Sequence, residues 1–333
     1  MKLDWRLVMV LVLSLGLMVG CETDDDDDAE VGTFETLSTY MQDNGLDLPA
    51  QIASGWVKPA SAVVDTNTYT IPGYTVLDIR ATDDYNAGHI EGAIDASLGN
   101  ILADAEANPA GDNGYLIVCY SGQSAGHASM ALRLMGYTST VLKWGMSGWN
   151  EDFAGSWNNN AGHDNGNNAE GHASWVTSAA PALVSYDYPA WESENTEGAA
   201  LLVERVEAAL ADGFMGVAGY GASGVMENLA NYQIINFWPE SDYLAFGHYE
   251  GAYQMKPISL EGDEVSYIDP DMTTALYCYT GQTSSTSTFW LNVLGYDVKS
   301  IKFGVNTLNY DGLYDAGKPN WHGPEDYDYV VEG

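Results

Sequence analysis

The chain has 333 residues, 46% of them hydrophobic and 12% aromatic, which is enough for a sizeable core and for two domains of ordinary size. Against 47 Asp and Glu stand only 11 Lys and Arg, a formal charge of −36. Such a balance excludes nucleic acid as a partner, because neutralising phosphates takes clustered cations. It reads instead as a strongly solvated surface, common in extracellular or salt-adapted proteins.

The N-terminus is the first element. Lys2 and Arg6 precede an apolar run from Leu7 to Val19, short for a bilayer span, which ends in Met18-Val19-Gly20-Cys21. Residues 1–21 therefore read as a targeting segment whose end resembles a bacterial lipobox, making a signal peptide with Cys21 as the lipidated residue. Residues 22–32, beginning ETDDDDD, form an acidic tether that cannot fold. This reading puts the protein outside the cytoplasm, held by lipid to a bacterial membrane, in the periplasm or at the cell surface. A plain cleaved signal or an uncleaved anchor is the alternative.

Residues 33–48 predict an extra helix packed on a first domain that ends at residue 154. Within it, residues 75–79 (TVLDI), 115–118 (YLIV) and a stretch around Val141 are buried-strand runs, with helical windows between them and Gly136 as a helix stop. Strand, helix and strand at this spacing imply an α/β fold with a parallel sheet covered on both faces. Residues 155–177, rich in Gly and Asn, read as a linker. His163, Asp164 and His172 within it have no further strong ligand at fixed spacing, so they read as solvated and no metal is expected. In a second domain, residues 178–333, an amphipathic helix over 197–213 with Thr196 as its cap precedes strands at 234–237 and 275–277.

Those two domains are copies of one unit. VCYSGQSAG, from Val118, contains Cys119, and LYCYTGQTSS contains Cys278, the cysteines lying 159 residues apart. The same offset carries Gly88-His89 onto Gly247-His248, Gly136-Tyr137 onto Gly295-Tyr296, and Lys143 and Gly145 onto Lys302 and Gly304. Each cysteine ends an apolar strand and is followed by a small glycine-containing loop that opens a helix. Open α/β sheets bind ligands at that position. Loop N–H groups and the helix N-terminus point at the sulfur and favour thiolate, so each cysteine is a candidate nucleophile with an anion cradle.

Asp78-Ile-Arg80, then Tyr85-x-x-Gly88-His89-Ile90-x-Gly92-Ala93, then Cys119-Tyr-Ser-Gly-Gln-Ser124 and Leu142-Lys-Trp-Gly-Met-Ser-Gly-Trp149 resemble the ordered motifs of a rhodanese domain. The resemblance covers roughly residues 55–153 and again roughly 215–312. It implies two domains, each a five-stranded parallel sheet flanked by helices, and sulfane-sulfur transfer as the activity. Cys119 and Cys278 would carry persulfides, with a sulfane-sulfur donor and a thiol acceptor as partners and no cofactor. Tyr120, Ser121, Gly122, Gln123 and Ser124 would cradle the first sulfur; Tyr279, Thr280, Gly281, Gln282 and Thr283 would cradle the second. Asp78 and Arg80 match the family's structural ion pair, and His89 and His248 would cap the turn that follows. Asn236 and Trp238 occupy the ion-pair positions of the second unit, which removes the pair.

Neither loop contains Arg or Lys, so capture of an anionic donor would rest on N–H groups and hydroxyls. Neutral polysulfur species or a partner's persulfide are then the expected donors. The sixth residues after the cysteines, Ala125 and Ser284, also exclude cysteine-phosphatase chemistry, which needs a guanidinium there. Two other readings stay open: a non-catalytic binding or scaffold lipoprotein using an aromatic-rich surface, and a Cys119 to Cys278 disulfide.

Overall fold

The computed structural model of the protein describes residues 32–332. The leader, Cys21 and the acidic tether up to Val31 lie outside the described residues. In the first domain, β1 (Val57–Lys58), β2 (Thr75–Asp78), β3 (Ile94–Asp95), β4 (Tyr115–Val118) and β5 (Ser139–Leu142) pair in parallel in the order β1-β5-β4-β2-β3. Both faces of this sheet are covered, which is why β4 is an unbroken apolar run with every residue buried rather than an alternating one. Further on come β6 (Trp175–Val176), β7 (Gly216–Val217), β8 (Gln233–Asn236), β9 (His248–Tyr249), β10 (Tyr253–Gln254), β11 (Thr274–Tyr277) and β12 (Val298–Ile301). Five of them form a second parallel sheet in the order β10-β8-β11-β12-β7, which read from its other edge is the first sheet strand for strand. The two α/β domains thus share one topology, as the 159-residue repeat requires.

Four helices organise the contact between them: α1 (Thr33–Asp43), α2 (Ser124–Leu134), α3 (Gly198–Ala211) and α4 (Gln282–Val293). A single apolar core runs from Phe34 and Leu37 of α1 through Ala128 and Leu132 of α2 to Val206 of α3 and Phe289 of α4. Helices α2 and α4 follow the two cysteine loops and approach closely because their facing residues are small. A Cβ on Gly126 would stand 2.6 Å from Thr286 Oγ1. Three buried hydroxyls of α4 are satisfied locally or across the contact, Thr286 Oγ1 donating to Gln282 O at 3.0 Å, Ser287 Oγ to Thr283 O at 2.9 Å and Ser285 Oγ to Gln123 O at 2.6 Å, whereas Thr288 Oγ1 is buried without a partner. The desolvation of those three is thereby offset.

Three expectations need revision. The N-terminal helix packs on α3 and on second-domain aromatics rather than on the first domain: Phe34 stacks on Tyr188 at 4.3 Å, and Trp290 Nε1 donates to Leu46 O at 2.9 Å. Helix α3 has Glu197, not Thr196, at its cap position, with no side-chain cap bond. The segment 155–177 is ordered structure: Trp157, in a one-turn helix (Gly155–Asn158), is fully buried and donates Nε1 to Ser121 O at 3.1 Å, and β6 pairs antiparallel with β9. Full burial of one Trp outweighs the local Gly and Asn preference for loops, since burying a large apolar side chain is worth about 1.5–3 kcal/mol. The C-terminal stretch also crosses back onto the first domain. Trp321 packs among Trp144 and Trp157, Tyr327 N donates to Trp149 O at 2.8 Å, and His89 and Val330 exchange backbone bonds of 2.9 Å. Among the described residues no helix is long and apolar enough to cross a membrane.

Candidate functional site

Strand β4 delivers Cys119 to the edge of the sheet. Its Sγ accepts from Gly122 N at 3.1 Å and from Ala125 N, in the first turn of α2, at 3.4 Å. Strand β11 does the same for Cys278, whose Sγ accepts from Ser284 N at 3.3 Å and whose thiol donates to Ser284 Oγ at 3.6 Å. The N–H of the sixth residue after the cysteine therefore meets the sulfur in both copies. Such donors favour a negative sulfur, whether thiolate or the outer atom of a persulfide. Both thiols are free, so the disulfide reading does not describe this structure.

Each loop is clamped from below by the segment after the last strand of its sheet. Met146 N donates to Cys119 O at 2.8 Å, and Ser147 Oγ to Tyr120 O at 2.8 Å. In the second copy Val305 N donates to Cys278 O at 3.1 Å, and Asn306 Nδ2 to Tyr279 O at 2.8 Å. This approach is possible only because Gly145 (φ 61°) and Gly304 (φ 55°) lack side chains: a Cβ at either would overlap the cysteine's own carbonyl oxygen. The repeat exposes both glycines in the sequence, but their role emerges only from the fold.

The residues expected to cradle sulfur divide into three groups. Gly122 and Gly281 turn the loops with positive φ, and Ser124 opens α2. Thr280 Oγ1 accepts from Gln282 N at 3.3 Å, and Thr283 faces a cavity beside Cys278. The two glutamines instead join the domains. Gln123 Nε2 donates to Ser121 Oγ at 3.0 Å while its Oε1 accepts from Phe303 N at 2.8 Å, and Gln282 Nε2 donates to Ser121 O at 3.4 Å. The two tyrosines are tied outward: the Tyr120 hydroxyl donates to Asp84 and the Tyr279 hydroxyl to Asp242. Burial, then the bonded carboxylate, pushes both phenols above their ordinary range. At Asp242 burial opposes the charge, yet the Lys318 ammonium at 2.7 Å and the Tyr279 hydroxyl outweigh it and hold the carboxyl low.

Asp78 and Arg80 form a buried ion pair, Nη2 to Oδ2 at 2.7 Å, and Arg80 Nη2 also donates to Gly88 O at 2.6 Å. His89 stacks on Tyr85 with Nδ1 2.9 Å from Tyr85 O, and His248 repeats this on Tyr243 at 3.1 Å. In the second domain the ion pair is absent, and Trp238 stacks on Tyr279 where Arg80 lies over Tyr120. These groups brace the loops and touch neither sulfur.

Only 1% of Cys119 and 3% of Cys278 is exposed. Cys278 nonetheless lines a cavity of about 300 Å³ with Tyr279 and Thr283 of its own loop and Trp56 and Lys143 of the first domain. An apolar cavity of about 330 Å³ among Leu102, Met135 and Leu210 lies apart from both cysteines. Lys143 and Trp157 are site residues that loop-by-loop reading misses, because they arrive from other segments. Among the described residues no cluster of His, Cys, Asp and Glu could hold a metal.

Fold and site together define a tandem of parallel α/β domains, each presenting one cysteine sulfur to backbone amides at a strand end. The family described as Rhodanese-like domain matches residues 64–152, within the first unit, and the second unit repeats that unit's strand order and loop. Similar solved structures include a rhodanese-related protein from Thermoplasma volcanium, at 20% identity and a TM-score of 0.24, over 31% of this chain and 95% of that one. A thiosulfate sulfurtransferase from Pseudomonas aeruginosa matches at 16% identity and 0.28, over 90% of this chain and 50% of that one. A 3-mercaptopyruvate sulfurtransferase from Leishmania major matches at 14% and 0.26, over 80% and 76%. No match to a curated protein was found.

Proposed function

We propose that the protein transfers or carries sulfane sulfur through persulfides at Cys119 and Cys278, outside the cytoplasm, anchored to a membrane by lipid at Cys21. The observation that carries the chemistry is the pair of amide-cradled sulfurs, repeated at one point of two domains. In the forward step a cysteine thiolate attacks the outer sulfur of a donor. A sulfur–sulfur bond forms to the protein, the donor's own sulfur–sulfur bond breaks, and the donor remnant leaves with the electron pair. In the return step an acceptor thiolate takes the outer sulfur and the cysteine leaves as thiolate, so no outside oxidant or reductant is needed. Loop amides that already meet Sγ are placed to stabilise the negative outer sulfur between the steps.

Sulfur delivery from a polysulfide donor to a thiol should disappear in the Cys119→Ser/Cys278→Ser variant and persist, reduced, in either single variant. Full delivery by the double variant would refute the reading. The anchor is tested separately: Cys21→Ser should release the protein from the membrane fraction, and unchanged sedimentation with membranes would refute it. A second reading, a non-catalytic binding protein that kept the fold, is favoured by the near-complete enclosure of both sulfurs. It predicts that Cys→Ser at both positions leaves the biological role intact.

A further inference from the structure

The described residues after Gly317, from Lys318 to Glu332, carry no helix and no strand beyond one bridge between Val330 and His89. They nevertheless touch the supports of both cysteine loops. Asn306, fully buried, donates from Nδ2 to Tyr279 O at 2.8 Å and to Pro319 O at 3.1 Å, and its Oδ1 accepts from Trp321 N at 2.7 Å. Asp242, which takes the Tyr279 hydroxyl, also takes Lys318 Nζ at 2.7 Å. Pro319 is part of the wall of the cavity at Cys278. Farther along, the tail pairs with the segment that clamps the first loop: Glu325 N donates to Gly148 O at 3.0 Å and Tyr327 N to Trp149 O at 2.8 Å. Glu325 also accepts from Ser61 N at 2.6 Å.

One side chain anchors this path. Trp321 alone among residues 318–332 is buried; its ring lies among Trp144 and Trp157, and its Nε1 donates to Asn158 Oδ1 at 2.8 Å. Glu325, Asp326, Asp328 and Glu332 add four carboxylates to a chain of formal charge −36, so electrostatics oppose the docking. A segment with one buried anchor, exposed backbone and like charge belongs to the least stable part of a fold and opens locally.

We infer that residues 318–332 are a strap, latched by Trp321, that opens and closes over the cysteine sites. Closed, it leaves Cys278 within reach of small molecules in the cavity and out of reach of a thiol carried by a protein, since only 3% of the residue is exposed. Open, it takes Pro319 out of the cavity wall and admits the larger reactant. The loop itself stays formed, because Val305 N still donates to Cys278 O at 3.1 Å. The strap rests on the contacts of the tail; its bearing on sulfur delivery rests on the sulfur-transfer reading.

Alkylation of Cys278 in the full chain, read as loss of the free-thiol peptide by mass spectrometry, should be followed with iodoacetamide and with a maleimide carrying a bulky polyethylene glycol. Trp321→Ala should raise the rate with the bulky reagent about a hundredfold, the scale of a lost core Trp. Tyr327→Pro, which deletes one pinning N–H at a half-buried position, should raise it about tenfold. Iodoacetamide, small enough for the cavity, should react within about threefold across parent and variants, and the amides of β4 and β11 should keep their hydrogen-exchange protection. Should Trp321→Ala loosen those strands, Tyr327→Pro decides. An unchanged bulky-reagent rate in both variants, or equal gains with both reagents, would overturn the strap. A size-dependent gain in a protein that never forms a persulfide would leave the strap standing and remove the sulfur-transfer reading.

Discussion

Acidification from pH 7 to pH 5 probes the domain contact through one residue, His127. Its ring is fully buried in α2, with Nδ1 2.8 Å from Ser285 Oγ of α4 and Nε2 accepting from Met215 N at 3.3 Å. An accepting Nε2 means a neutral ring that donates from Nδ1, and Ser285 passes its own proton to Gln123 O beside the first cysteine loop. Burial, aided by the charge of Lys299, pushes the His127 pKa down to about 3 from 6.5. The folded state therefore refuses a proton that the unfolded chain accepts. Above pH 6.5 neither state is protonated and nothing is lost; below it stability falls, and the loss is complete near pH 3. Each unit is worth about 1.4 kcal/mol, so the loss at pH 5 is about 2 kcal/mol. Urea unfolding at pH 7 and pH 5 measures it, with His127→Asn as the control that removes this titration and keeps that of the carboxylates. The parent should lose about 2 kcal/mol more than the variant. Equal losses would refute the assignment of His127 as the acid-sensitive link.

Three further outcomes follow from the clamp, the brace and the ordered crossing. Gly145→Ala or Gly304→Ala should destabilise the protein by about 2 kcal/mol or more in thermal unfolding, since each combines positive φ with overlap on a carbonyl; a neutral result would contradict the clamp. Asp78→Asn should cost about 3–5 kcal/mol by leaving the Arg80 charge buried without its partner. The reverse change, Asn236→Asp, should destabilise the second domain because no Arg awaits it, and a gain in stability by chemical denaturation would contradict that. Trp157→Ala should cost about 3–5 kcal/mol, the scale of a lost core aromatic, whereas a flexible linker would show no change.

The strand runs at 75–79 and 115–118, the stop at Gly136 and the repeat of cysteine loops were legible because each depends on local pattern: apolar continuity for a strand covered on both faces, and glycine where φ turns positive. The loops' immediate geometry was legible for the same reason. What escaped depends on contacts between distant segments. Residues 155–177 look like a linker because Gly and Asn dominate, yet one buried Trp and the returning tail with Trp321 order them. The N-terminal helix shows its apolar face but not which domain receives it. Gln123 and Gln282 look like ligand groups, although a domain contact uses them first. Lys143 is silent in a loop-based reading because it lines the cavity at the cysteine of the other copy.

The central claim, that the amide-cradled cysteines hold transferred sulfur, is tested most directly by peptide mass spectrometry after treatment with a sulfane-sulfur donor and removal of excess. The account predicts an added sulfur atom on the peptides bearing Cys119 and Cys278, removable by a thiol acceptor and absent after the matching Cys→Ser change. Free, unmodified thiols at both positions after that treatment would contradict it.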